Sequence, residues 1–388
     1  MSVSQIFYSR LLSNEHLFTY DPYDIWNTNI GQWVKKLYYR NSTAGLLPSA
    51  LLVLFDSYIN NRSRIGYSKR EYPVVYAYKV LLAIELYKRH PHSHLLEEAR
   101  CSLTWLALNY SKGYSGHCWG ANMPWVSKNA TYKEETPFIT NTPYVLEALT
   151  QFSQISNDTT FDYMVPTILA FIETDLIKMV DSSNELALSY SPYPEKRIVI
   201  NANSYAMFCY SVFNQLYPGQ STCISDKVIR LYNFIKNHQR PDGSWFYYAD
   251  DLPGNFIDCF HSCFILKNLY KANKTVCLEN FSETIQLGYK YLKVNFFDHQ
   301  RKLFKRFAKT DKASIIQFDL YDNAEMLNLS ILLKDGELTD ILSQSIKEEF
   351  VRGNDIYSQI ILSNKRIQKN TLRWAVMPML YAFASCGR

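Results

Sequence analysis

Glycine and proline are both scarce in this sequence. Its 388 residues include 13 Gly and 14 Pro. A loop-rich all-β domain, a collagen-like repeat or a flexible linker is richer in these residues, so the composition disfavours all three. Hydrophobic residues make up 47% and charged residues 20% of the chain. That proportion is enough for a large buried core and excludes a disordered chain.

The common nucleotide and nucleophile motifs are also missing. The sequence has no G-x-x-x-x-G-K-[ST] phosphate loop, no G-x-G-x-x-G fingerprint and no H-E-x-x-H zinc motif. It also lacks the G-x-S-x-G nucleophile elbow. We therefore expect no phosphate chemistry and no cofactor.

No strong excess of charge is present. The 41 Lys and Arg residues exceed the 36 Asp and Glu residues by five. The basic residues are scattered, and the runs near Arg89 and Arg366 are short, as solvated helix ends are. We expect no nucleic-acid partner.

Long apolar runs and secretion signals are not evident in the sequence. We find no segment of the ~18–20 apolar residues that a transmembrane helix needs, so we expect no membrane span. The first residues lack a basic segment followed by an apolar one and a small-residue cleavage site, so we expect a cytoplasmic protein. Most of the eight cysteines lie in apolar helical contexts, which suits reduced, buried thiols.

Aromatic residues are abundant, at 15% of the chain, and many of them belong to a repeat. A helix that is apolar on most faces recurs about every 55–70 residues, and a more amphipathic helix follows it. The apolar helices are predicted at 73–90, 141–155, 201–217, 256–272, 317–333 and 371–385. Their partners are predicted at 92–111, 158–179, 225–239, 278–294 and 337–351.

Six buried helices ringed by outer helices form an all-α fold, the (α/α)6 toroid. One toroid domain accounts for residues 1–388, and the N-terminal helices within 1–60, around 25–39 and 46–58, are predicted to close the ring. An open α-solenoid is the closest competitor. Solenoids repeat at ~34–47 residues, which is shorter than the period found here.

Long loops follow the outer helices, and in a toroid they all open at one end of the ring. Loops beyond ~12–15 residues in a compact domain usually have a function, so we expect a cleft at that end. Its aromatic and polar side chains suit a sugar, since rings stack on C–H faces and polar groups bind hydroxyls. The substrate-binding candidates are His117, Trp119, Trp125, Lys128, Asn141, Asn201, Asn203, Tyr205, Trp245, Tyr247, Tyr321, Arg373 and Trp374.

Asp258 and His261 form the sharpest local pair. At positions i and i+3 they share one helix face, and a carboxylate beside an imidazole fixes its tautomer for proton transfer. The alternative is a buried histidine satisfied by a capping aspartate. Asp319 and Asp242 complete the catalytic candidates.

Two chemistries remain open from these residues. Glycoside hydrolysis needs two carboxylates across a cleft, and the sequence singles out no pair. A lyase or epimerase acting on a uronic acid needs a His or Tyr acid–base pair and a cation for the carboxylate. His117, His261, Tyr205, Tyr247, Lys128 and Arg373 suit those roles.

A metal site is the third possibility. His117-Cys118-Trp119-Gly120 resembles a phrase of the lanthipeptide cyclases, which are toroids with a Cys/Cys/His zinc site. The adjacent Cys-His pair that those enzymes place in the next repeat is absent, and Cys259 and Cys263 lie among phenylalanines as core residues do. We expect no metal.

The Gln239…Asp242-Gly243-Ser244-Trp245 phrase resembles a structural turn of triterpene cyclases, but their D-x-D-D acid motif is absent.

A wider resemblance covers about residues 110–385. Its ordered phrases are Cys-Trp-Gly and Trp-x-Ser-basic at 118–128, Thr-Pro at 142–143, Asn-x-Asn at 201–203, DGSW at 242–245, Ile-Asp-x-Phe-His at 257–261, Asp319 and Arg-Trp at 373–374.

These phrases are similar to a bacterial toroid family of capsule, O-antigen and exopolysaccharide gene clusters. Some of its members carry a δ-aminolevulinic acid dehydratase label, which does not fit because the real dehydratase is a TIM barrel. The chain is more distantly similar to six-hairpin glycosidases. It departs from the family pattern at Pro124 and Tyr321. The resemblance implies a carbohydrate-active protein of bacterial surface-polysaccharide metabolism.

The sequence therefore predicts a hydrolase, lyase or epimerase that acts on a poly- or oligosaccharide. The first alternative is a non-catalytic glycan-binding or scaffold protein of a polysaccharide assembly system. The second alternative is a zinc-dependent enzyme similar to the lanthipeptide cyclases.

Overall fold

A computed structural model describes residues 8, 11, 12, 14, 16–310 and 314–387. The chain begins with a small helical region. It comprises α1 (Asp24–Asn27), α2 (Asn29–Arg40), α3 (Ser42–Leu54), a π-helical turn at Phe55–Ile59 and α4 (Asn60–Ser63). The helices α2 and α3 pack on each other as a hairpin.

Six helices then form a closed inner ring, each packing on the next and the last on the first. Their apolar sequences explain this position, since a helix that is apolar nearly all round is stable only between layers. The third, for example, buries 13 of its 17 residues. The inner helices are α5 (Pro73–Arg89), α7 (Thr142–Ser156), α9 (Ile200–Leu216), α11 (Cys259–Ala272), α13 (Leu320–Leu332) and α15 (Met377–Cys386).

Five outer helices alternate with the inner ones and return the chain, so all inner helices begin at the same end of the ring. Each outer helix packs on the inner helix that precedes it. This arrangement is the predicted (α/α)6 toroid. The outer helices are α6 (Ser93–Leu108), α8 (Met164–Thr174), α10 (Ser221–Asn237), α12 (Phe281–Asn295) and α14 (Gly336–Phe350).

The loops at that end carry short antiparallel strands that the sequence analysis did not predict. The pairs are β1 (Trp125–Val126) with β2 (Thr131–Tyr132), β3 (Lys178–Asp181) with β4 (Leu186–Leu188), β5 (Ile257–Asp258) with β8 (Phe307–Lys309), and β6 (Phe297–Asp298) with β7 (Leu303–Phe304). One larger sheet joins β9 (Ile316–Asp319), β10 (Val351–Arg352), β11 (Asp355–Ile361) and β12 (Arg366–Lys369). In that sheet β11 lies between β9 and β12, and Gln359 pairs with Asp319.

The strands correct several helix boundaries. The helix predicted at 158–179 is observed only at Met164–Thr174, because Lys178–Asp181 pairs as β3. The helices predicted from 256 and from 317 begin three residues later, at Cys259 and Leu320, because the preceding residues form β5 and β9.

The first residues and the last inner helix lie together. The hydroxyl of Tyr8 donates to the carbonyl of Leu380 at 3.2 Å, and Leu11 and Leu12 are buried in the same core. Closure of the ring by the helices of residues 1–60 stays a prediction, and most of residues 1–15 lie outside the described part. Within α3 only Gly45 is buried, which argues against an outer-layer role for that helix.

One helical stretch bears on the expectation that no segment spans a membrane. Among the described residues, Ser42–Ser63 is apolar and long enough to cross a membrane by length and composition, and 17% of its apolar window is buried.

Candidate active site

His261 and Asp258 meet at the start of α11. The Nδ1 atom of His261 lies 2.7 Å from Oδ2 and 2.9 Å from Oδ1 of Asp258. Asp258 also caps the helix, because its Oδ1 accepts from the backbone N–H of His261 at 3.3 Å. With Nδ1 held by the carboxylate, Nε2 of the neutral imidazole carries the free lone pair. The predicted contact between Asp258 and His261 is thus present. Asp258 can cap the helix and orient His261 for proton transfer at the same time.

A small cavity opens at this pair. Its volume is about 10 Å³, which is the space for one water molecule. The predicted cleft is therefore narrow at His261, since aromatic side chains pack over it. The lining residues are Asn201, Trp245, Phe246, Tyr247, Asp258, His261, Ser262 and Ile265.

Two of these residues have side chains that suit a sugar ligand. Tyr247 stacks on Phe256 with ring centroids 4.8 Å apart, and its ring centroid lies 4.6 Å from that of His261. Asn201, in the first turn of α9, is 3% exposed, and its Oδ1 has no hydrogen-bond partner among the described residues. A buried amide oxygen without a partner is costly, so this atom marks a place where a ligand donor is favoured.

The start of α11 is held in place from two sides. The backbone N–H of Cys259 donates to the carbonyl of Arg306 at 2.9 Å, which attaches the helix to the residue that precedes β8. The backbone N–H of Phe260 donates to Oδ1 of Asp322 at 3.1 Å. Burial raises the pKa of Asp322 well above its usual value, and within the described part of the chain its Oδ2 has no hydrogen-bond partner. Asp322 therefore acts as a positioning residue behind the pair.

Asp319, a predicted catalytic residue, is fully engaged in the structure. It lies 3.0 Å from Arg306, accepts from Trp374 Nε1 at 3.1 Å and accepts from Gln359 at 3.1 Å. It also caps α13 through the backbone N–H of Tyr321. Burial raises its pKa, against the opposing effect of Arg306. With no exposed surface and with both oxygens engaged, Asp319 acts as a structural anchor, and the geometry gives no support to the catalytic role predicted for it.

Asp242 belongs to a turn and not to the cavity. It is exposed, and its Oδ1 accepts from the backbone and the hydroxyl of Ser244. Gly243 has a φ of +91°, and Gln239 donates to the Gly243 carbonyl at 3.1 Å. The phrase therefore forms the turn that the sequence suggests, and the geometry gives no support to the catalytic role predicted for Asp242.

The tryptophans divide between core and rim. Trp119 is completely buried and donates to the carbonyl of Leu106 at 3.1 Å, so it packs in the core and the geometry gives no support to the stacking role predicted for it. Trp245 is also buried and donates to Ile235 at 2.9 Å, although its ring lines the cavity. Trp125 is partly exposed beside α2, away from that cavity.

Trp374 and Tyr321 form a stacked pair, with centroids 4.1 Å apart and an interplanar angle of 9°. The ring of Phe260 contacts both of them edge-on and lies next to the ring of His261 at 3.9 Å. Trp374 and Tyr321 therefore pack behind Phe260 and do not line the cavity.

Three polar residues predicted to bind substrate have internal partners. Asn203 bonds both backbone groups of Leu188, and Arg373 forms a bidentate pair with Asp21 at 2.6 and 2.8 Å. Lys128 is exposed and reaches the carbonyl of Pro253 at 3.5 Å. The polar groups of Asn203 and Arg373 are thus engaged within the protein, which gives no support to their predicted substrate role, and none of the three residues lines the cavity.

The remaining candidates lie elsewhere in the ring. His117 bonds Thr167 of α8 at 2.7 Å, and burial together with Lys112 lowers its pKa. Tyr205 and Tyr144 share a hydrogen bond of 2.6 Å and line a second small cavity deeper in the ring. Asn141 begins α7 without a capping hydrogen bond from its side chain.

Two buried acids of α13, Asp322 and Glu325, were missed in the sequence. Asp319, Asp322 and Glu325 recur every three residues and are each 0% exposed. Glu325 pairs with Lys267 inside the ring. The sequence pattern that could have revealed them is the i, i+3, i+6 spacing of acids in an otherwise apolar stretch. Residues with this spacing share one helix face.

Metal ligation finds no geometric support in the described part of the chain, where no three His, Cys, Asp or Glu residues are grouped to hold an ion. Cys259 and Cys263 are completely buried in the core. Burial raises the pKa of both thiols, which disfavours the thiolate that a metal requires.

No protein-family profile and no curated protein matches the chain. Solved structures do match. A cellobiose 2-epimerase from Bacillus thermoamylovorans is 9% identical, with a TM-score of 0.64 over 91% of this chain and 98% of the other. A sugar epimerase from a ruminal bacterium is 12% identical, with a TM-score of 0.61 over 82% and 88% of the two chains.

An α-mannanase of glycoside hydrolase family 76 from Bacteroides thetaiotaomicron is also similar. It is 12% identical, with a TM-score of 0.59 over 94% of this chain and 97% of the other. The chain shares their fold. At such low identity the likeness concerns the path of the backbone, so the chemistry has to come from the residues of this chain.

Proposed function

We propose that this protein is a carbohydrate-active enzyme that transfers a proton on a neutral sugar, as an epimerase or isomerase. The observation that carries the proposal is the pairing of His261 with Asp258 at a cavity lined by Tyr247 and Asn201. Together these residues supply an oriented base (His261), an aromatic face (Tyr247) and a buried hydrogen-bond acceptor (Asn201) at one place.

The chemistry follows from the tautomer. Asp258 accepts from Nδ1–H of His261 and stabilises the imidazolium that forms when Nε2 takes a proton. The face of Tyr247 suits the C–H face of a pyranose, and the free Oδ1 of Asn201 suits a hydroxyl donor. Because the cavity is the size of one water, a sugar has to displace rim side chains such as Phe246 to reach Nε2.

Hydrolysis fits the site less well. A glycosidase needs two carboxylates on opposite sides of the scissile bond, and Asp258 is the only carboxylate among the eight cavity residues. A uronic acid fits less well too, because those eight residues include no Lys or Arg and Arg373 is paired with Asp21. A neutral sugar matches the charge of the cavity.

The biological setting is part of the same proposal. The ordered phrases from 118 to 374 support a role in bacterial surface-polysaccharide metabolism in the cytoplasm, with an oligo- or polysaccharide as substrate. The structural neighbours support a sugar ligand, since their names include cellobiose 2-epimerase and α-mannanase.

Solvent-deuterium incorporation tests the proposal. The native protein is incubated in D₂O with cellobiose, mannose or a manno-oligosaccharide, and NMR follows exchange at the sugar carbons. We expect exchange by the native protein and a fall of about 10²–10⁴-fold for His261→Asn, the usual contribution of general acid–base catalysis. His117→Asn is the matched control, since that histidine bonds Thr167 away from the cavity.

Two results would contradict the proposal. Full exchange by a folded His261→Asn variant would remove the assigned base. Sugar binding by the native protein without exchange, epimerisation or cleavage would favour the glycan-binding alternative instead.

A further inference from the structure

The hairpin of α2 and α3 carries an unusual apolar surface. Nine of the twenty large hydrophobic side chains that are exposed among the described residues lie between positions 30 and 59. Trp33 is 62% exposed, Leu47 67% and Ile59 69%. Apolar patches of this kind on soluble domains usually mark an interaction surface. This apolar hairpin face consists of Ile30, Trp33, Leu46, Leu47, Leu51, Leu54, Phe55, Tyr58 and Ile59.

The hairpin is built so that this face stays outside the core. Gly45 is the one buried residue of α3. A Cβ at Gly45 would lie 2.3 Å from the Cα of Tyr38, so the glycine allows the two helices to approach closely. Four of the five leucines of α3 lie exposed, from 45% at Leu54 to 67% at Leu47.

The segment that carries this face is rich in basic residues and poor in acids. Residues 29–70 contain seven Lys or Arg and one acid, Asp56, which gives a local charge of +6. Asp56 is buried and accepts from Tyr67 and Gln368, so it adds no negative charge at the surface. The exposed basic side chains are Lys36, Arg40, Arg62 and Lys69.

We propose that the apolar hairpin face docks on an anionic lipid bilayer. The apolar side chains of α3 and the π-helical turn enter the interface, and the four exposed basic side chains contact acidic headgroups. Interfacial helices combine an exposed apolar surface, aromatic residues and Lys or Arg in this way. The inference does not depend on the proposed enzymatic function.

The protein attaches to one leaflet and does not span the bilayer through this stretch. The second half of Ser42–Ser63 is tied into the fold, because Asp56 is bonded by Tyr67 and Gln368 and the carbonyl of Ser57 accepts from Lys365. Releasing these buried contacts to form a straight spanning helix would leave a carboxylate in hydrocarbon.

A second copy of the chain is the competing occupant, and charge disfavours it. In a twofold dimer the same patch faces itself, so the basic side chains around the two faces would meet. Like charges brought together in this way oppose association. An acidic bilayer surface satisfies the same charges.

Vesicle sedimentation tests the inference. We expect the native protein to bind vesicles of phosphatidylcholine with phosphatidylglycerol, and to bind pure phosphatidylcholine vesicles more weakly. High salt should weaken binding to the acidic vesicles. The double variant Lys36→Gln/Arg40→Gln should bind about thirtyfold more weakly, given the usual contribution of each basic residue near an anionic surface.

Apolar substitutions separate insertion from simple charge attraction. Leu47→Glu/Leu51→Glu should abolish vesicle binding with an unchanged circular dichroism spectrum, because both side chains are exposed. Val294→Glu is the matched control, as this residue of α12 is 70% exposed outside the hairpin. Equal binding by the double leucine variant would overturn the inference. A native dimer that ignores vesicles and that Leu47→Glu/Leu51→Glu converts to a monomer would overturn it in favour of self-association.

Discussion

The pair of Arg373 and Asp21 should be one of the strongest single stabilising contacts of the fold. The two residues are 352 positions apart and joined by a bidentate pair at 2.6 and 2.8 Å. The Asp21 side chain is 0% exposed and that of Arg373 is 13% exposed. Replacing Arg373 by Met would keep much of the packing volume but leave a buried carboxylate without its cation.

The magnitude follows from that burial. Removing one partner of a buried ion pair typically lowers the free energy of unfolding by about 3–5 kcal/mol. With an unfolding entropy of about 2 cal/mol/K per residue, the whole chain loses about 0.8 kcal/mol of stability per degree near its midpoint. The Arg373→Met variant should therefore melt about 5 °C below the native protein.

Urea unfolding followed by circular dichroism measures the effect, and a double-mutant cycle isolates it. Asp21→Asn keeps an acceptor for the backbone N–H of Tyr23 and removes the charge. Added to Arg373→Met, it should recover part of the lost stability, since no buried charge is then unpaired. A loss below about 1 kcal/mol in Arg373→Met, the range of exposed pairs, would refute the reasoning and return Arg373 to a substrate-binding role.

Two further predictions concern groups that the fold buries. Burial and the neighbouring Asp21 raise the pKa of Asp24 to about 7 from an ordinary 3.8. The native state therefore binds more protons than the unfolded chain between these values, so stability should fall as the pH rises from about 4 to 7. Urea titrations at several pH values should show that Asp24→Asn removes this decline. Asn203→Ala leaves the buried backbone groups of Leu188 without partners and should cost about 1–3 kcal/mol, whereas Asn141→Ala, which removes no capping bond, should change stability much less.

The helical ring could be predicted from the sequence because its signal is local. Each inner helix is a continuous apolar run, and the observed starts at Pro73, Thr142 and Ile200 lie within one residue of the predicted ones. The strands could not be predicted in this way. Residues 257–258 and 317–319 directly precede stretches that become helical, and only pairing with distant segments makes them strands.

The site shows the same division between local and distant information. Asp258 and His261 are close in sequence, and their spacing on one helix face was sufficient to predict their contact. Arg373 resembled a free cation because its partner Asp21 lies at the other end of the sequence. Asn203 resembled a sugar ligand because nothing local indicates its bonds to Leu188 of β4. The buried partner, rather than the residue type, decided which role each residue has.

The closed inner ring has a consequence for synthesis on the ribosome. The helix that completes the ring, α15, is the last inner helix to emerge, and it fills the space between α5 and α13. The preceding turn is bonded to the start of the chain, where Leu372 N–H donates to Thr19 at 3.0 Å. Until residues 372–386 have emerged, the apolar flanks of α5 and α13 face water. The nascent chain therefore passes through an intermediate in which the ring is open and apolar surface is exposed. We expect molecular chaperones to bind the chain most readily at that stage.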